Sequence, residues 1–208
     1  LVMGVDERFK HTGPVGGCSG SPVFIDGRLA GAPAFGWTFS KDPLYGVTPI
    51  KEMLEVGLTN GSGGSARPTS TAAFSFDLSK PIDLAEIDRQ IMSRNLMGTG
   101  NSSGATALPC PLLISGLPAE ACRKVAEPLE AMGFMAVPGL SGSVEGEEIA
   151  LAQGGTLTMP LVTGDINMNV LGTVTEIRDG RVYGFGHSFL GYGPVNLPMA
   201  GGKVYTVI

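Results

Sequence analysis

Ser19 lies in Gly16-Gly-Cys-Ser-Gly-Ser-Pro22, the stretch of this 208-residue chain best suited to nucleophilic chemistry. A serine hydroxyl attacks poorly at neutral pH unless a base takes its proton and donors hold the oxyanion that forms. Glycines on either side let the backbone turn tightly enough to aim successive N–H groups at one point. Gly17 and Ser19 are the expected oxyanion donors. Of the two histidines, His11 sits in the loop-like Lys10-His-Thr-Gly13. His187 ends a strand-like run in Gly184-Phe-Gly-His-Ser-Phe-Leu-Gly191 and is the better base, since such sites are assembled in space and not along the chain. A carboxylate should set the imidazole tautomer, and Asp6 and Asp165 both stand beside strand-like segments. The chemistry implied is acyl transfer.

Other readings of the serine motif fit less well. The Gly-x-Ser-x-Gly elbow of α/β-hydrolases fails because Ser21 occupies the last Gly position and no helix follows. A phosphate-binding loop fails for want of a closing Lys-Ser/Thr pair. A plain glycine-rich turn carrying an exposed serine is the structural alternative. The three cysteines, Cys18, Cys110 and Cys122, are odd in number and lack a Cys-x-x-Cys pair, so they form neither a zinc signature nor an evident disulfide framework. No metal and no cofactor is expected.

The elements that must position Ser19 and His187 read as mainly β. Thirty-two Gly and 15 Pro punctuate short strands, and 43% apolar against 16% charged residues suits a folded core. Val23–Ile25, Asp26-Gly27 and Arg28 onward form a hairpin signal, and Thr173–Ile177 with a turn at Asp179-Gly180 forms a second. Val47–Leu54 reads as a strand end entering a short helix. Residues 59–72 are Gly/Ser/Thr-rich and predict a flexible linker. A helix is expected over 82–95. Pro111–Ser115 predicts a buried strand, followed by a helix opened by Pro118, kinked at Pro128 and ended by Gly133, then a strand at Phe134–Val137. The organisation expected is a nucleophile-bearing β segment (1–58), the linker, an α/β insertion (73–140), and a histidine-bearing β segment (141–208) packed against the first. The net charge of −5 without a basic cluster argues against a nucleic-acid partner. No apolar run is long enough for a membrane span.

Thr12-Gly-Pro-Val-Gly-Gly-Cys-Ser-Gly-Ser-Pro-Val-Phe-Ile-Asp-Gly-Arg-Leu-Ala-Gly31 resembles the nucleophile segment of SpoIVB-type serine peptidases. The likeness continues through Gly36–Pro43 and Gly46–Leu54, and resumes at Leu161–Asp165, Gly172–Thr175 and Phe185–Leu190. The resemblance implies chymotrypsin-like β-barrel elements and a Ser-His-Asp triad of Ser19, His187 and Asp6. It also implies backbone hydrogen bonds from Ala34, Phe35 and Gly36 to an extended peptide substrate, and an extracytoplasmic place in a bacterial envelope. Cys18 stands where the family usually has Met, and the histidine follows the serine where the sporulation enzyme has it before. Leu1–Met3 and Val204–Ile208 both read as strand, so missing strands, or a second copy of the chain, are expected to complete the barrel. The rival expectation is an inactive binding or signalling module on the same scaffold.

Overall fold

The computed structural model describes residues 1–5, 7, 15–37, 42, 44–58, 105–130, 133–139, 149–189 and 195–204. Asp6, His11, the linker at 59–72 and the helix expected over 82–95 lie outside the described residues. Among those described, the chain is mainly β, arranged as two sheets.

The first sheet runs β1 (Val2–Met3), β4 (Leu44–Pro49), β3 (Arg28–Trp37), β2 (Val23–Ile25), and β5 (Ala105–Ala107) also pairs with β3. The β2–β3 hairpin forms where Asp26-Gly27 predicts it. Asp26 and Gly27 adopt φ values of 50° and 73°, the left-handed pair that matches the twist of the flanking strands. β4 passes directly into helix α1 (Ile50–Leu58), which lies against β3 and β4.

The second sheet runs β11 (Ala200–Gly202), β8 (Thr156–Val162), β9 (Asn167–Arg178), β6 (Cys110–Ser115), β7 (Phe134–Pro138), and β10 (Arg181–Gly184) returns on β9. The second expected hairpin is present as β9–β10, with Asp179 and Gly180 at φ 52° and 71°. β6 and β7 pair in parallel and are joined by α2 (Ala119–Glu130), as parallel neighbours require a crossover. α2 buries Cys122 and Ala126 at helical spacing and rests on β7. It continues through Pro128 to Glu130, and Gly133, at φ 89°, donates its N–H to the Glu130 carbonyl.

The described part of the expected insertion does not stand apart. β5 joins the first sheet, while β6 and β7 join the second, where β6 pairs antiparallel with β9. The reason lies in β6. Cys110, Leu112 and Ile114 are buried, so this strand belongs in a core that β9 completes through Val170 and Val174. Phe185 is part of the same cluster, which fixes the segment leading to His187 from beneath.

Candidate active site

The loop that carries Ser19, Gly17–Gly20, packs across β9 and meets the turn after β10 that leads to His187. Four hydrogen bonds fasten the loop. Thr173 donates its N–H to the Ser19 carbonyl (3.0 Å), and its Oγ1 donates to the Gly17 carbonyl (2.8 Å). Thr175 Oγ1, fully buried, donates to the Gly20 carbonyl (2.6 Å), and Gly20 N–H donates to the Pro33 carbonyl (3.1 Å). Gly20 has φ 95°, and a Cβ there would overlap the Thr173 carbonyl oxygen and come within 2.5 Å of the Phe185 nitrogen. Only glycine allows that approach.

The Ser19 side chain is buried, at 1% exposure, and its Oγ donates to the carbonyl of Phe185. Phe185 adopts φ 62° and Gly186 φ 68°, so two successive left-handed residues turn that carbonyl toward the serine. This conformation costs a non-glycine residue roughly 1–2 kcal/mol, and burial of the Phe185 ring in the core holds it. The Gly186 carbonyl is fixed in turn by Thr48 Oγ1, at 2.5 Å.

His187 is half-buried beside this turn. Its Nδ1 lies 3.1 Å from the Ser188 carbonyl, an acceptor only, so Nδ1 carries the proton and Nε2 bears the lone pair. Nε2 faces Cys110 Sγ at 3.9 Å. Burial lowers the imidazole pKa below its ordinary 6.5, and the Ser188 carbonyl opposes that in part. The ring is therefore neutral near pH 7 and able to accept a proton. Cys110 is the wrong partner for thiol chemistry. Burial pushes its pKa up to about 12, whereas a reactive cysteine needs a depressed one. It serves as a weak donor to the ring.

Ser19 Oγ and His187 share no hydrogen bond with each other. Among the described residues no carboxylate reaches the ring; Asp165 is exposed in the β8–β9 connection, and Asp6 lies outside those residues. The backbone N–H groups of the loop divide into two sets. Cys18, Gly20 and Ser21 donate their N–H groups to the Val15, Pro33 and Cys18 carbonyls, while among the described residues those of Gly17 and Ser19 meet no acceptor. Ala34, Phe35 and Gly36 lie in β3 close to the site, for a Cβ at Gly186 would sit 3.2 Å from that of Ala34. They were expected to offer backbone hydrogen bonds to an extended peptide. Their edge is not open: β4 pairs with Phe35 and Gly36 on one side and β5 on the other, and Ala34 O accepts the Leu108 N–H at 2.8 Å.

No protein-family model matches the chain, and no curated protein or solved structure matches it. All three cysteines are free thiols, and among the described residues no cluster of His, Cys, Asp and Glu could hold a metal ion. No described helix is long and apolar enough to cross a membrane. The residues that sequence reasoning missed are Thr173, Thr175 and Thr48, the anchors of the loop and turn, and Cys110. A hint was legible in Gly172-Thr-Val-Thr175, where threonines two apart share one face of a strand and can reach a common neighbour.

Proposed function

We propose that this chain is the catalytic part of a SpoIVB-type serine endopeptidase with chymotrypsin-like β elements, acting on protein or peptide substrates in a bacterial envelope. One observation carries the reading: the Gly17–Gly20 loop and the Phe185–His187 turn, from opposite ends of the chain, are hydrogen-bonded together through Ser19 Oγ. In this mechanism Ser19 gives up the Phe185 carbonyl, a bond worth about 1 kcal/mol, and His187 Nε2 leaves Cys110 Sγ to meet the hydroxyl. His187 takes the hydroxyl proton as Ser19 attacks the substrate carbonyl and returns it to the leaving amine. The N–H groups of Gly17 and Ser19 hold the oxyanion, and Asp6, as the resemblance implies, takes the Nδ1 proton over from the Ser188 carbonyl to orient the imidazole.

The test is covalent labelling of the folded protein with a fluorophosphonate. Labelling is expected in the wild type and should fall at least about 10⁴-fold in Ser19→Ala and in His187→Ala, as for other serine–histidine pairs. Labelling that survives Ser19→Ala would remove the assignment. The second reading, an inactive binding or signalling module, is favoured by the engagement of the Ser19 hydroxyl with a backbone carbonyl. It predicts a folded wild-type protein that takes no label.

A further inference from the structure

The segment from Ala105 to Pro111 crosses the candidate site in an extended course. β5 pairs antiparallel with β3, Phe35 opposite Ala107, Gly36 opposite Thr106 and Trp37 opposite Ala105. Leu108 continues the line by donating its N–H to the Ala34 carbonyl at 2.8 Å. Its side chain turns inward and is 7% exposed, while Thr106 and Ala107 before it and Pro109 after it are exposed. A Cβ at Gly36 would stand 3.3 Å from Leu108 Cδ2, so the bare backbone of Gly36 forms one wall of the leucine's pocket. Two residues on, Cys110 Sγ meets His187 Nε2. The next residue, Pro111, puts its ring 3.5 Å from where a Cβ of Gly17 would be, against the turn that carries an expected oxyanion donor.

The run of contacts therefore proceeds from the β3 edge to the histidine to the oxyanion turn. That is the path an extended peptide must take if its backbone adds to β3 and one of its carbonyls is to reach Ser19. β5 and Leu108 behave as such a peptide does: strand pairing through the main chain, Thr106 and Ala107 exposed, and one apolar side chain, Leu108, buried. It is a three-residue strand at a sheet edge, with little buried surface of its own apart from Leu108.

We propose that β5 and Leu108 are an intramolecular occupant of the peptide-binding edge of β3, and that the edge selects an extended peptide with small side chains followed by leucine or one of similar size. The inference deepens the peptidase reading and rests on it for the role of Ser19. A tethered segment has an effective concentration in the millimolar range. A free peptide of ordinary affinity competes poorly with it, so the resting protein is closed to substrate by its own chain. Opening requires β5 to leave β3.

The test combines peptide binding with labelling. A fluorescein-tagged Ala-Thr-Ala-Leu amide is titrated by anisotropy against the protein in the Ser19→Ala background, which removes turnover from the measurement. Thr106→Pro withdraws an N–H from the strand pair at an exposed position. It is expected to raise the apparent affinity about tenfold or more, since the competent fraction rises, and to speed fluorophosphonate labelling when Ser19 is present. The peptide with Asp in place of Leu should not bind. Leu108→Ser, which empties the pocket without touching the β5 ladder, should act in the same direction and serves if Thr106→Pro does not fold. Unchanged peptide affinity in whichever variants fold, with faster amide exchange in β5 proving that the strand has opened, would overturn the proposal even if wild-type labelling succeeds. Tight peptide binding by the opened variants with no labelling of any Ser19-containing form would retain the peptide edge and remove the peptidase reading instead.

Discussion

His187 carries a pH dependence whose direction follows from its burial. Its folded-state pKa is lowered mainly by desolvation, so below pH 6.5 the unfolded chain binds the proton more readily than the folded one. The stability associated with the neutral ring is fully present above pH 6.5 and is lost as pH falls through the lowered folded value. Urea melts of the wild type should weaken over that window, and His187→Gln should flatten that part of the profile. The same residue sets the acid limb of activity: on the proposed mechanism, labelling of Ser19 should remain high through pH 6.5 and decline only below it. An acid limb centred above 6.5 would mean that a different group supplies the base.

At the scale of elements, the decisive arrangement is a loop laid on a strand. β9 supplies Thr173 and Thr175 on one face, and the loop supplies the carbonyls of Gly17 and Gly20. Thr175→Val keeps the shape but strands a buried carbonyl, and should cost about 1–3 kcal/mol in urea denaturation. Gly20→Ala is more damaging, because both neighbours of the added methyl are backbone and cannot move aside. A loss of about 3 kcal/mol or more, the upper end for single substitutions, is expected. Labelling should fall with it, since Ser19 directly precedes the displaced residue. Ser188→Ala, on an exposed side chain whose carbonyl alone touches the histidine, should leave both properties near wild type.

For the molecule as a whole, the core under β6 and β9 supports the site from below. Leu112, fully buried opposite Val170, should cost about 2–5 kcal/mol when replaced by alanine. Phe24, about half exposed on β2, should change stability by no more than about 0.5 kcal/mol in the same urea melt. Phe185 belongs to the same core cluster as Leu112. Loosening that cluster should therefore also weaken the turn that presents His187, and the two sheets should not behave as independent units.

The local features were legible in the residue order because their causes are local. Asp26-Gly27 and Asp179-Gly180 admit left-handed φ at both turn positions, and both hairpins formed there. Pro118 and Gly133 bracketed α2, and the apolar run after Pro111 placed β6. Ser19 and His187 stood out as chemistry-bearing residues for the same reason: their glycine surroundings are written beside them. What only the tertiary structure decided depends on pairing between distant segments, for which no short-range pattern exists. The partition of the middle of the chain between two sheets, the Phe185 carbonyl as the Ser19 acceptor and Cys110 at the imidazole follow from strand register and core burial. The closing of the β3 edge by β5 belongs with them. Three exposed or half-exposed residues, Ala105 to Ala107, have no strand signal of their own and become a strand only because β3 presents unpaired backbone to them.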